Sequence, residues 1–416
     1  MSAVEGWKTG HLGELCSIEI GGTPSRNVPE YWDESKESGN LWVSIKDLNT
    51  RVVTDTAEQI TEAGIKHSNV KRQETGTVLL SFKLTIGKVA FAGAPLYTNE
   101  AIAALCSDEL DLDFLFQGLQ QWDLLQGVDQ AIKGVTLNKG KLKKIEFEYP
   151  SAKPEQTIIA EVLSTVDRVI EQTEVLLAKQ QRIKTGLMQD LLNRGIDEHG
   201  NLRSEATHKF KDSPLGRIPV EWEPSNLGKL AVFLSGYAFK NHELSEHGWR
   251  VVRISNLHKP DFPYWHYDGK VKTSWIIREG DVLFSWAGVA SSIDCIRYSG
   301  PDALMNQHIY NFKFASKNLK TYVYYFLQSY LPVLRTEIEG GAGQLHLTKA
   351  KIQSISIPRL EEDELERTVQ ILEKQQETLD EYHKQLSKFH SLKTALMQDL
   401  LTGEKRVTPL LEAGAH

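Results

Sequence analysis

The sequence predicts an α+β chain: two similar mixed α/β domains joined by two long antiparallel coiled-coil helices, an internal duplication with pseudo-two-fold symmetry. Three observations carry that expectation. At 416 residues the chain is too long for one core of ordinary size. The stretch KTGLMQDLLNRG at Lys184–Gly195 returns, nearly unchanged, as KTALMQDLLTGE at Lys393–Glu404. Ahead of each copy, apolar residues recur in heptad fashion over several turns, the mark of a helix that needs another helix along one stripe.

The repeat runs through each half. EGWKTGHLGEL at Glu5–Leu15 pairs with VEWEPSNLGKL at Val220–Leu230, VSIKDL at 43–48 with VRISNL at 252–257, and GTVLLSF at 76–82 with GDVLFSW at 280–286. TNEAI at 98–102 pairs with MNQHI at 305–309, and TLNKGKLKKI at 136–145 with HLTKAKIQSI at 346–355. A near-constant offset over a whole half means one fold built twice with small loop changes, at a period far too long for a solenoid.

The first domain is expected over 1–150. Val78–Phe82 is a short apolar run of strand type, and Asp111–Leu125 reads as a helix. After Pro150 a long helix is expected over 151–195, with a seam of Ile159, Val162, Val166, Val169, Thr173, Leu176, Gln180, Ile183 and Leu187. The Gly-, Pro- and Asn-rich stretch over 196–219 reads as a linker that lets the chain turn back. The second domain is expected over 220–358, with a strand at Val282–Trp286 and a helix at Leu319–Leu334, and a second long helix over 359–403. Its seam is Val369, Leu372, Leu379, Leu386, Phe389, Leu392 and Leu396; a short tail, 404–416, follows. Thr173, Gln180 and Gln376 put polar groups on or near the seams, as tolerated positions or as register control.

Composition excludes several classes. No apolar run is long enough to span a bilayer, and the N-terminal residues lack the basic-then-apolar layout of a secretory signal, so a cytoplasmic protein is expected. Cys16, Cys106 and Cys295 are isolated and show no metal-ligand spacing, so no metal site is expected. The net charge of −7 gives no global sign of a nucleic-acid partner. By segment, 1–150 carries 15 Lys/Arg against 21 Asp/Glu, whereas 206–358 carries 18 against 13, so any such partner must be met by local patches.

Taken together, the sequence resembles the specificity subunit of type I restriction–modification systems. GGTPSRNVPEYWD followed by LWVSIKDLN, SGYAFK followed by VVRISNL, SPLGRIPVEWE before the second half, and KTGLMQDLL/KTALMQDLL at the helix ends carry the likeness over nearly the full length. The resemblance implies two target recognition domains, each reading one half of a split site on double-stranded DNA. It also implies partners: two modification (methyltransferase) subunits that methylate adenine N6 with S-adenosylmethionine, and restriction (endonuclease/translocase) subunits that cleave unmodified DNA with ATP. The half-sites are then expected roughly one helical turn apart. The repeated Leu187, Met188, Asp190 and Leu191, with Leu396, Met397, Asp399 and Leu400, are expected to form equivalent corners for partner subunits, to close the helix pair, or both.

The chain itself is expected to be non-catalytic and to hold no cofactor. An adenine N6 methyltransferase needs a (D/N/S)PP(Y/F/W) loop, but in DFPYW at Asp261–Trp265 the first proline is Phe262. FAGAP at Phe91–Pro95 places Pro95 where a cofactor turn needs a glycine with a free N–H. TIGK at Thr85–Lys88 has Phe82 where a phosphate loop needs its first glycine. The main rival reading is a stand-alone enzyme, such as a fused restriction–methylation protein, and the missing motifs count against it. The second is a coiled-coil scaffold without DNA specificity, which explains the helices but not two duplicated heads.

DNA contacts are expected from Lys/Arg and exposed amides at phosphates, and from bidentate side chains at base edges. In the first half the candidates are Arg26 in the Gly loop, Lys46 and Lys83 at strand ends, and Lys133, Asn138, Lys139 and Lys141 in a stretch with five lysines and no acid. A solvated lysine-rich turn is the plain alternative for that stretch. In the second half they are Tyr237, Lys240, Arg253, Asn256, Gln344, His346 and Lys349. Arg253 and Asn256 have the chemistry to read guanine and adenine, or to pin the turn at a strand end. The aromatic, basic stretch KPDFPYWHYDGKVKTSW offers a stacking or wedging surface, or a small loop core.

Overall fold

The computed structural model describes residues 4–125, 137–339 and 345–409. Two compact units emerge, Met1–Val175 with Lys384–His416, and Leu176–His383.

The first unit contains β1 (Trp7–His11), α1 (Leu12–Leu15), β2 (Ser17–Ile20), β3 (Asn40–Val43), β4 (Val52–Val53), β5 (Glu58–Ile60), α2 (Glu62–Lys66) and β6 (Arg72–Gln73). It continues with β7 (Val78–Ser81), β8 (Val89–Ala92), β9 (Leu96–Thr98), β10 (Ile102–Cys106), α3 (Leu112–Gln121), α4 (Lys139–Lys143) and β11 (Glu146–Pro150), after which α5 (Lys153–Asn193) begins. Strands β2-β10-β7-β8-β4 form one sheet, β5-β3-β9-β6 a second, and β1 pairs antiparallel with β11. Strand β7 shows why this assembles. Its side chains alternate: Val78 and Leu80 enter the core under α3 and α5, while Leu79 enters a second core with Val43, Ala90 and Leu96. A strand buried on both faces reads as the unbroken apolar run seen in the sequence. Asp111 caps α3 by accepting the amides of Asp113 at 2.9 Å and Phe114 at 3.0 Å.

The second unit repeats the plan. After a hairpin of β12 (Phe210–Ser213) and β13 (Gly216–Pro219) come β14 (Glu223–Asn226), α6 (Leu227–Leu230), β15 (Ala231–Ser235), β16 (Trp249–Val252), α7 (Ile254–His258), β17 (Trp265–Tyr267) and β18 (Ile276–Ile277). Then follow β19 (Val282–Ser285), β20 (Ala287–Gly288), β21 (Asp294–Arg297), β22 (Ala303–Met305), β23 (Ile309–Phe314), α8 (Lys317–Glu339), β24 (Leu345–His346), α9 (Lys349–Gln353), β25 (Ser356–Arg359) and α10 (Glu362–Leu401). Sheet β15-β23-β19-β21 matches β2-β10-β7-β8, and β17-β16-β22-β18 matches β5-β3-β9-β6. Even the parallel pair recurs, β3 with β9 and β16 with β22. The two halves are the same topology written twice.

Within each unit the long helices run antiparallel. In the first, Ile159 and Leu163 share a core with Met397 and Leu400, and Asp167 pairs with Lys393 at 2.7 Å. In the second, Gln375 Nε2 donates to Gln180 O at 3.1 Å and to Gln180 Oε1 at 3.0 Å, and Ile196 N donates to Glu364 Oε1 at 3.0 Å. Gln180 thus bonds across the seam, as does Gln376 to Lys184, whereas Thr173 bonds back to Val169 O on its own helix.

Two expectations need correction. The seam of α5 keeps Ile159, Val166, Thr173, Gln180 and Leu187, but its other positions fall one residue later than expected. Leu163 and Ile170 are buried, while Leu176 and Ile183 are 41% and 39% exposed. On α10 Leu392 is likewise exposed, and the neighbouring Lys393 faces Asp167. The stretch over 196–219 is also more than a connector. It contains the β12–β13 hairpin, and Ile196, Arg203 and Ile218 are buried in the second unit. Its Gly and Pro residues mark turns, but its few apolar residues add to a core.

Candidate nucleic-acid interface

In the first unit Arg26 leaves the Gly loop and lays its guanidinium 3.8 Å from the Trp32 ring and 5.0 Å from that of Trp42. Glu58 accepts from Arg26 and pairs with Lys46 at 3.3 Å. The Arg26 guanidinium, with Lys46 behind it, holds the Glu58 carboxyl below the usual carboxylate range against the opposing effect of burial. Arg26 and Lys46 are half or more exposed, so both keep a solvent-facing side while their positions are set by Glu58 and two indoles. The preceding glycines serve packing. A Cβ on Gly21 would stand 2.0 Å from Thr98 O, and one on Gly22 2.1 Å from Asn69 Oδ1. Lys83 Nζ lies 5.4 Å from the ring of buried Phe82.

Asn138 Oδ1 accepts the Lys141 amide at 2.9 Å, so this side chain caps α4. Lys139 and Lys141 are exposed on that short helix. Lys133 lies outside the described residues. In the second unit the same corner is built by Thr348, which accepts the Lys351 amide at 3.2 Å and leaves Lys349 exposed at the first position of α9. Gln344 lies outside the described residues, as does the side chain of His346, whose backbone pairs with Ala287.

Tyr237 donates its hydroxyl to Glu243 at 2.9 Å and stacks on Trp275 at 4.3 Å. Lys240 is exposed, and its amide bonds Glu243 at 2.9 Å. Arg253 and Asn256 both pin the chain. Asn256 is 4% exposed, accepts the Arg253 amide at 3.1 Å and donates to Phe262 O at 2.8 Å. Arg253 Nη2 donates to Pro263 O at 2.6 Å, with its guanidinium 4.2 Å from the Trp265 ring. The turn-pinning alternative therefore accounts for the Asn256 side chain. Most of the aromatic stretch forms a loop core: Trp265, Tyr267 and Trp275 pack with Phe239 and Leu304, leaving Phe262 43% exposed.

The repeated helix ends divide likewise. Leu191, Met397 and Leu400 are buried in the cores of their own units, which is the helix-closing role. Leu187, Met188 and Leu396 are partly buried. Asp190 and Asp399 are tied to Arg194 and Lys405. Met188 also lines a cavity of about 630 Å³ with Leu215, Phe326 and Tyr330.

Among the described residues no group of three His, Cys, Asp or Glu is placed to hold a metal ion, and no helix is long and apolar enough to cross a membrane. Cys16 and Cys295 are buried, and burial pushes the Cys16 thiol up to about 12. Sequence reasoning missed Arg51, which bonds Asp113, Ser164 and Asp167 and fixes the first domain on α5. It also missed Glu155 and Glu364, although these recur at the spacing that separates the LMQDLL copies.

The family described as type I restriction modification DNA specificity domain matches the chain twice, over residues 4–180 and 219–388. The type I restriction enzyme MjaIX specificity subunit of Methanocaldococcus jannaschii is 27% identical over 263 residues, which is 61% of this chain and 58% of that protein. The MjaVIII specificity subunit of the same organism is 24% identical over 287 residues, 66% of this chain and 65% of that protein. The chain thus spans about six tenths of the length of these relatives. A crystal structure of a type I restriction-modification system S subunit from M. genitalium shares the fold at a TM-score of 0.61 and 16% identity, covering 95% of this chain and 96% of that one.

Proposed function

The chain belongs to the type I restriction modification DNA specificity family, and from that premise we propose that it is the non-catalytic specificity subunit of a type I restriction–modification complex. Each unit reads one half of a split target on double-stranded DNA. Modification subunits then methylate adenine N6 at that target, and restriction subunits cleave DNA that lacks the mark.

The observation that carries this reading is the duplication itself. One topology occurs twice, and each copy ends in a short capped helix with an exposed lysine at its first position, Lys139 in one and Lys349 in the other. A scaffold needs the helices but has no use for two matching heads with matching cations. Exposed Lys139, Lys141, Lys240 and Lys349 suit phosphate contacts, which set position without reading sequence. Arg26, Lys46 and Lys83, held by neighbouring acids or rings, suit contacts of fixed direction. Leu187, Met188 and Leu396, with Asp190 and Asp399, are the parts of the helix ends left for partner subunits, while Leu191, Met397 and Leu400 support them from the cores.

The test is selection from a random duplex library by the full chain, with and without a modification subunit. A motif in two parts separated by a fixed unread gap is the expected product. Enrichment of one uninterrupted motif, or of none, would reject the proposal.

A further inference from the structure

The loop joining β7 to β8 carries a residue that the fold itself does not use. Leu84 has a φ of 62°, the left-handed region that a bulky side chain enters only at a cost of roughly 1–2 kcal/mol. It is also 89% exposed, more than any other large apolar side chain among the described residues. Neither packing nor backbone preference explains it.

The duplicated half supplies an internal control. GTVLLSF over 76–82 aligns with GDVLFSW over 280–286, and the same offset carried two residues further sets Leu84 opposite Gly288. Gly288 has a φ of 109°. Positive φ thus falls on leucine in one half and on glycine in the other, although the second loop is two residues longer between its bonded Ser285 and Asp294 than the first between Ser81 and Lys88.

The turn holding Leu84 is built firmly. Ser81 Oγ donates to Thr85 O at 2.6 Å and accepts the Lys88 amide at 2.9 Å, and Gly87 N donates to Ser81 O at 3.0 Å. The second half repeats the device, with Ser285 Oγ donating to Ser292 O at 2.6 Å and accepting from Asp294 N at 2.9 Å. Leu84 is therefore presented from a fixed base. Lys83 adjoins it, Lys88 closes the turn, and no acid lies between Phe82 and Lys88. The Lys88 ammonium turns back to Asn49 Oδ1 at 2.7 Å, which leaves an aliphatic tip beside the Lys83 cation, a surface that fits a polyanion also offering apolar groups. In duplex DNA that group is the thymine C5 methyl of the major groove.

We propose that Leu84 is a specificity-determining residue of the first unit, making an apolar contact with the methyl of one thymine in that unit's half-site. This rests on the DNA-reading function proposed above. The second unit carries Gly288 at the matching place, and its longer loop exposes Val289 instead, 63% exposed.

The experiment uses the full chain assembled with its modification subunits. Wild type, Leu84→Gly and Leu84→Asn are each selected on random duplexes, and binding is compared on the selected site with each thymine replaced in turn by deoxyuridine, which lacks the methyl. Glycine and asparagine both accept a positive φ, so both variants are expected to melt no lower than wild type. In wild type, one deoxyuridine in the first half-site is expected to weaken binding roughly fourfold, the worth of one buried methyl group. In both variants that loss disappears, and preference for thymine at that position weakens by the same factor while the second half-site is unchanged. Variants that keep the deoxyuridine effect, or that instead fail to assemble with the modification subunit, would overturn the assignment. If wild type selects no split site at all, the function proposed above falls, and this inference with it.

Discussion

Arg203 and Glu364 form a two-pronged ion pair whose side chains are only 9% and 6% exposed. The Glu364 carboxylate also accepts Trp222 Nε1 at 3.0 Å and the Ile196 amide at 3.0 Å. Arg203 follows the end of α5, whereas Glu364 starts α10. The first unit contains the counterpart: Arg406, beyond α10, bonds Glu155 at the start of α5 at 2.6 and 2.8 Å. Each long helix thus has its first turn locked by the segment that follows the other. Gly195 and Gly403, with φ of 63° and 73°, turn the chain out of the helices beneath Trp222 and Trp7, where a Cβ on Gly195 would lie 2.1 Å from Glu364 Oε1.

Arg203→Met leaves a buried carboxylate without its counter-charge and is expected to destabilise the second unit by about 3–5 kcal/mol. Calorimetry of the full chain checks this. Arg406→Met strips the counter-charge from Glu155, whose side chain is 2% exposed, and is expected to destabilise the first unit by a similar amount. A much smaller loss at Arg406 would show that its 28% exposure lets water stand in for the guanidinium.

Asp281 gives the second unit an acid-sensitive point. Burial pushes its carboxyl up, but Lys313 at 2.6 Å, the Arg278 amide at 3.0 Å and Asn311 Nδ2 at 2.7 Å together hold it below the usual range. The folded state therefore binds this proton more weakly than the unfolded chain. The stabilisation is fully present above the unfolded value and fades as pH falls through the lower folded value. Wild type is expected to lose more stability than Asp281→Asn on acidification below about pH 4, while remaining the more stable at pH 7. Urea titrations of both proteins across that range measure the difference.

The helix seam shows where sequence pattern runs out. Val162–Leu163, Val169–Ile170 and Leu176–Leu177 are adjacent apolar pairs, so steps of three and of four both fit a heptad. Only the facing helix and the packed domain choose between them, and they choose the later residue. Leu163→Ala is accordingly expected to cost about 2–5 kcal/mol, as for a filled core site. Val162→Ala, at a partly buried position, is expected to cost markedly less. Chemical denaturation of the two variants decides the register.

The duplication, the mixed α/β heads and the antiparallel helices were legible because each rests on a long, repeated pattern. Single side chains were less so. Arg253 and Asn256 have the same residue types whether they read bases or hold a turn, and only the contacts to Pro263 O and Phe262 O reveal the turn. The Arg203–Glu364 lock joins residues 161 positions apart, which no local pattern signals. The repeat itself was the unused guide: aligning the halves sets Glu155 against Glu364 and Leu84 against Gly288.

Lys139 and Lys349 offer the most direct electrostatic test, since each is exposed at the first position of its short helix and neither caps it. The caps are Asn138 and Thr348, so alanine at either lysine removes charge while the helix start stays intact. A lost phosphate contact releases fewer counterions. Each substitution is expected to make the slope of log K against log salt shallower by about 0.9, and the double substitution by about twice that. Phosphates carry no base identity, so the selected motif is expected to stay the same while affinity at low salt falls for every sequence. Binding isotherms at a series of salt concentrations give the slopes. A variant with the wild-type slope has lost no phosphate contact, and a changed motif would mean that the lysine reads a base.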